Sequence, residues 1–308
     1  MVELAGNGGI DQAALTQFER NFMMLAQQKL SKLEASGVVK YLATDGKYNT
    51  LPQMGKIELV KVVGRNPKKQ YTDYSVNNRM LRKHRFTATV LLDEKHDVNE
   101  LITDPTSYIM TNLLAAKNRV IDRVICASAI GPVLIGSPNG PQEFISAADD
   151  GVQTVDATSG VNYQTYTSIV QTFVNSEITM DMIYQAKLLI TGKENTALMN
   201  EDKFINNRYM PGYAVEKGFA KPGALDFILF AGSATGGNTV TNPILPEETT
   251  TRHCLALAPD SVAVSMELAR LAVEQSATHV NSKELTIDFW INGMRTEGAR
   301  VIDIKTTI

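Results

Sequence analysis

From residue 85 to residue 93 the chain alternates cleanly, with Phe86, Ala88, Val90 and Leu92 on one side of an extended strand and Thr87 and Thr89 on the other. KIELVKVV at residues 56–63 predicts a second strand, and the two are expected to pair as a long hairpin. Residues 64–84 between them are too long and polar for a tight turn, so they are expected to project as an extended loop. Ahead of this region, Leu15, Phe18, Phe22 and Leu25 recur at helical spacing and predict an amphipathic helix over 11–36, stopped by Gly37.

The clearest helical pattern covers residues 105–130. Asp104 is suited to the cap, Pro105 to the first helical position, and Gly131-Pro132 to the stop. Ile109, Leu113, Ala116, Val120, Val124 and Ala127 form one apolar stripe, and Met110, Leu114, Ile121 and Ile125 widen it, so the helix should be covered on more than one side. At 1.5 Å per residue it would be roughly 39 Å long.

From about 133 to 250, short apolar runs alternate with turn-rich segments such as SPNGPQ, which predicts a mixed lobe with long loops and one helix over 180–191. RHCLALAP then reads as a strand, SVAVSMELARLAVEQ as a helix, and ELTIDFWING and ARVIDIKT as strands, with Asn292-Gly293 as a hairpin turn. The sum is an α+β chain.

Composition narrows the function. With 30 basic and 33 acidic residues in 308, a net charge of -3 argues against a protein that grips DNA through bulk positive charge. Cys126 and Cys254 lie far apart, and the opening MVELAGNGGI lacks a basic-then-apolar leader, so a reduced, soluble, intracellular setting is expected. No apolar run approaches the length of a membrane span.

Catalytic and cofactor signatures fail on inspection. Thr191-Gly192-Lys193-Glu194 lacks the glycine and the hydroxyl residue of a phosphate loop, and ATGGN lacks a dinucleotide fingerprint. His84, His96, His253 and His279 show no metal-ligand spacing. Arg252-His253-Cys254 reads as a buried cysteine beside a surface histidine, and Asp149, Asp150 and Asp156 as a solvated acidic turn. No enzyme activity, cofactor or metal is expected.

Charge segregation is the stronger signal. Between 64 and 85, Arg65, Lys68, Lys69, Arg79, Arg82, Lys83 and Arg85 face Asp73 alone, a net of +6. Asp93, Glu94, Asp97, Glu100 and Asp104, offset by Lys95, follow with a net of -4. A solvated loop is one reading, and a nucleic-acid-binding module with Tyr71 and Tyr74 stacking on bases is another. A third is head-to-tail packing, in which Arg65, Lys68, Lys69, Arg79, Arg82, Lys83 and Arg85 of one copy meet Asp93, Glu94 and Asp97 of the next.

The passage LLDEKHDVNELITDPTSYIMTNLLAAKNRVIDRVICASAIG, with the ending ELTIDFWINGMRTEGARVIDIKT, resembles the major capsid proteins of tailed bacteriophages with the Hong Kong 97-like fold. The order of elements agrees over nearly the whole chain. The resemblance implies an N-terminal arm over 1–36, an extended loop over 57–83, and a peripheral domain of 37–56, 84–130 and 280–298 with a spine helix at 105–130. An axial domain of 131–279 and 299–308 would complete it. It further implies copies of the chain in pentamers and hexamers of an icosahedral head, assembled in the bacterial host cytoplasm and enclosing double-stranded DNA without sequence-specific binding. Scaffolding, portal and decoration proteins would be partners, and no membrane would be involved. An encapsulin-like compartment shell is the alternative within the same fold.

Overall fold

The computed structural model describes residues 27–43, 48–61, 63, 68–69, 71–93, 106–137, 140–201, 225–232, 243–279 and 282–308. In chain order the first half holds β1 (Val39–Tyr41), β2 (Tyr48–Met54), β3 (Val76–Arg82), β4 (His84–Asp93), helix α1 (Thr106–Ile130), β5 (Val133–Gly136), β6 (Gln142–Ile145) and β7 (Gln153–Asp156). Helices α2 (Tyr163–Asn175) and α3 (Met180–Gln185), strand β8 (Lys187–Thr191), helix α4 (Gly192–Met199) and β9 (Asp226–Phe230) follow. The chain closes with β10 (Thr251–Leu257), β11 (Val262–Gln275), β12 (Ser282–Arg295) and β13 (Val301–Thr307).

These strands make three sheets, in the orders β1-β11-β12-β4, β7-β13-β10-β8-β9 and β2-β3-β5-β6. In the first sheet the alternation read at 85–93 holds: Leu92 of β4 packs with Leu285 and Ile287 of β12 and Leu113 of α1. Gly293 lies where α1 passes over β12, and a Cβ there would stand 2.6 Å from Ser128 Oγ and 3.0 Å from Ser128 Cβ, so the Ser128 side chain would have to shift.

Helix α1 spans 25 residues, close to the expected range, and buries Leu113, Ala115, Ile121, Asp122, Ile125, Cys126 and Ala129. Asp122 is fully buried. Its carboxylate accepts hydrogen bonds from Gln28 Nε2 (2.5 Å), Ser31 Oγ (2.5 Å), Lys32 N (3.0 Å) and Leu33 N (3.2 Å). Residues 28–33 are thereby hitched along the helix, and Asn118 Nδ2 adds a bond to Lys29 O.

Several expectations are corrected. Residues 262–275 form β11, not a helix: the 14-residue antiparallel ladder with β12 outweighs local helix preference, and Arg270 and Glu274, which pair at helical spacing, share one strand face. Asn292-Gly293 lies inside β12 and makes no turn. The described part of 56–63 carries no strand, so the expected hairpin with 85–93 is not made: β4 pairs with β12, and β3 pairs with β2, an edge strand that tolerates Pro52. The helix foreseen over 180–191 ends at Gln185 and gives way to β8. Of the helix foreseen over 11–36, residues 11–26 lie outside the described residues, and 27–36 are not helical.

In the second sheet β13 lies between β10, antiparallel, and β7, parallel. The turn leading to β7 packs so closely on Gly298 that a Cβ there would stand 1.9 Å from Asp150 O and 2.9 Å from Val152 N. Backbone cannot yield as a side-chain tip can. Gly298→Ala is therefore expected to destabilise the subunit by about 1–3 kcal/mol or more, read from the midpoint of chemical denaturation.

Candidate functional site

Beyond the β2–β3 ladder, Gly55 N donates to Ser75 O at 2.8 Å, and the chain leaves the body as an arm. The described arm residues form no strand or helix. Leu59 is 99% exposed, Val63 78% and Tyr71 86%, and Ile57, Val60 and Tyr74 are also exposed. Lys69 Nζ sits 5.7 Å from the centre of the Tyr71 ring. Among the described residues nothing covers these apolar side chains.

The root of the arm carries a buried charge cluster that the sequence did not announce. Asp150 Oδ1 accepts from Arg79 Nη2 at 2.5 Å, while Oδ2 accepts from Arg79 Nη1 at 2.9 Å and from Arg295 Nε at 2.6 Å. Arg295 is fully buried, and its Nη1 donates to Ala129 O (2.9 Å) and Gly131 O (3.0 Å) at the end of α1. Arg79 also donates from Nε to Gln53 Oε1 (2.6 Å) and from Nη1 to Arg295 O (3.1 Å). Burial pulls the Arg295 guanidinium below its ordinary pKa, against the pull of Asp150. Asp150 is thus no solvated acidic turn, and Arg79, 6% exposed, is directed into the subunit and not outward from a loop.

The other cations of the basic stretch divide. Lys83 pairs with Glu267 at 2.6 Å. Arg85 holds Asp288 through Nε and Nη2, the shortest contact being 2.6 Å, and this hydrogen bonding keeps the Asp288 carboxyl below its usual range. Arg82 is exposed and makes no ion pair among the described residues, and Lys68 and Lys69 are exposed on the arm. Arg82 rims a cleft of about 390 Å³ between β3, β5, β6 and β12, lined also by Tyr48, His84 and Phe144. Arg65, Glu94 and Asp97 lie outside the described residues, and Asp93 is described only as the end of β4. The structure therefore brings Arg79, Lys83 and Arg85 to internal partners and leaves Lys68, Lys69 and Arg82 facing solvent.

Elsewhere, Thr191-Gly192-Lys193-Glu194 is a helix start: Thr191 N donates to Glu194 Oε2 at 3.0 Å. Glu194 and Glu247 hold the buried Arg252. No cluster of His, Cys, Asp and Glu suited to a metal occurs among the described residues, and no helix there is long and apolar enough to cross a membrane. Cys254 is buried, and burial pushes its thiol up.

His253 is buried too, not on the surface: Nδ1 lies 2.8 Å from Asp303 Oδ1 and Nε2 3.6 Å from Glu248 Oε1. The Asp303 hydrogen bond raises its pKa above the ordinary value, against desolvation. A raised folded-state pKa means that protonated His253 stabilises the fold fully below the unfolded value near 6.5, and that this contribution is lost as pH rises through the folded value. His253→Gln is expected to cost roughly 1 kcal/mol more at pH 5.5 than at pH 9, measured by urea titration.

A family model described as phage capsid protein matches residues 10–210. Solved structures add three likenesses over almost whole chains. The capsid of the Cyanophage P-SCSP1u aligns at 14% identity and TM-score 0.63, covering 99% of this chain and 96% of that one. The head of Helicobacter pylori bacteriophage KHP40 aligns at 9% identity and TM-score 0.66, covering 99% of each. The mature capsid of bacteriophage PhiM1 aligns at 12% identity and TM-score 0.65, covering 94% of this chain and 90% of that one. No curated protein matches the chain.

Proposed function

The chain belongs to the phage capsid protein family, and from that premise we propose that it is the major capsid protein of a tailed bacteriophage, closing with its own copies into an icosahedral head around double-stranded DNA. Its mixed architecture is the Hong Kong 97-like capsid fold. The observation that carries the reading is the uncovered arm. Each fully exposed leucine-sized side chain forgoes about 1.5–3 kcal/mol of burial, which a neighbouring copy recovers. Lateral contact also matches the charge pattern, with Lys68, Lys69, Arg82 and Arg65 of one copy against Asp93, Glu94 and Asp97 of the next.

In this reading residues 57–83 are the extended loop, with β3 as its root in the body, 1–36 the N-terminal arm, and 37–56, 84–130 and 280–298 a peripheral domain with α1 as its spine. Residues 131–279 and 299–308 form an axial domain whose loops meet around pentamers and hexamers. The role is structural and not catalytic. Scaffolding, portal and decoration proteins are the further partners, and assembly takes place in the host cytoplasm before the subunit resides in the virion.

Light scattering with electron microscopy tests this on the purified chain. Closed particles of megadalton mass are expected, and a species that stays at 33.8 kDa over a wide concentration range would overturn the reading. Leu59→Asp combined with Tyr71→Ser should abolish particles. The subunit's own stability should change by no more than about 0.5 kcal/mol, since neither side chain packs inside it. Normal particles from that double variant would remove the arm from the assembly contact.

A further inference from the structure

Four separate parts of the chain converge on one carboxylate: Arg79 from β3, Asp150 from the turn before β7, Arg295 from the end of β12 and, through Arg295, the carbonyls of Ala129 and Gly131 at the end of α1. We infer that this Asp150 clamp sets the angle at which the arm leaves the subunit body, and so selects the curvature at which the shell closes, with Arg79 as the positioning residue. The inference rests on the assembly reading above and deepens it.

The geometry is that of a fixed joint. Arg79 sits in the middle of the β2–β3 ladder, opposite Leu51, and the same two strands continue into the arm past Met54 and Val76. Its planar guanidinium is held at 2.9 Å and 2.5 Å by Asp150, at 2.6 Å by Gln53 and at 3.1 Å by the Arg295 carbonyl. A rigid fork bound on three of its nitrogens by acceptors from three segments has one orientation open to it. Gln53 Nε2 in turn donates to Thr296 O, which ties β2 to the same corner.

The other described tether of the arm root is different in kind. Lys56 pairs with Glu177 at the turn after α2, with side chains 77% and 74% exposed, and a contact so wet holds no angle firmly. The buried clamp is left to do it. A tilt of about 10° at the clamp moves a point roughly 30 Å along an extended arm by about 5 Å, the length of one to two residues. Head-to-tail contacts close into rings only when the rotation between neighbours is fixed at the closing value, and otherwise run open.

The test compares particle diameters with subunit stability. Arg79→Lys keeps the charge and loses the fork. Gln53→Asn leaves the Asp150 pair and withdraws the third acceptor, and it decides the matter in the same way should Arg79→Lys not fold. Ile169→Val, on the buried face of α2, serves as a control that lowers stability without touching the clamp. The expected result is mixed diameters or open sheets from the clamp variants, and the parent diameter from Ile169→Val at an equal or larger drop in melting temperature. Clamp variants that close at the single parent diameter overturn the inference, as does an Ile169→Val particle that is equally misshapen. Parent particles are the premise: without them the assembly reading falls and takes this inference with it, whereas uniform particles from parent and clamp variants alike overturn the inference alone.

Discussion

One buried carboxylate between two guanidiniums holds the corner where this subunit's parts meet. Burying three charges is costly, and Asp150 neutralises only one of the two arginines. The surplus positive charge is placed at the carboxyl end of α1, where the Ala129 and Gly131 carbonyls and the negative end of a 25-residue helix receive it. Gly298 lets the Asp150 backbone approach closely enough for this to happen. A second carboxylate, Asp122, does similar work midway along the same helix by gathering the donors of residues 28–33. Each of these carboxylates is set among hydrogen-bond donors, Asp122 along the helix and Asp150 beyond its carboxyl end, so the helix is not placed by apolar packing alone.

Around that corner the molecule divides its resources. The core of the second sheet is apolar and closed, with Leu188, Leu189, Ile190, Leu255 and Ile304 fully buried. The arm is the reverse, displaying leucine, valine and tyrosine to solvent. A chain so arranged gains its last increment of stability from mass action between copies. The basic stretch follows the same division: Lys83, in the turn before β4, reaches Glu267 of β11 and Arg85 of β4 reaches Asp288 of β12, while Arg82 faces outward.

Elements with a single dominant period were legible in the sequence: the alternation of β4, the stripe and Gly131 stop of α1, and the strands β10 and β13. Residues 262–275 were not, because VAVSMELARLAVEQ satisfies a helical spacing as well as a strand one, and only the distant β12 decides between them. At the site, the charge excess of 64–85 and its tyrosines could be read locally. The clamp could not, since Asp150 and Arg295 are 145 residues apart and Asp150 sits in a segment whose serine, alanine, aspartate and glycine content reads as an ordinary turn. Asp122 was hidden for a related reason: a carboxylate in the RVIDRV run looks like the polar side of a helix until the segment that covers it is known.

The position of β13 has a consequence for when such a subunit comes into being. β7 and β10 do not touch each other; β10 is also paired with β8, but β7 joins the sheet only through the strand between them, which is made after both. While synthesis is under way, β7 and one edge of β10 wait unpaired, and the lobe they belong to lacks the Val301, Ile302 and Ile304 side chains of its core. Only when residues 301–307 have cleared the ribosome does the sheet zip shut. A nascent chain stalled before that point is a poor building block, so the topology itself screens out incomplete copies before they enter a lattice in which a single faulty member would be shared by all its neighbours.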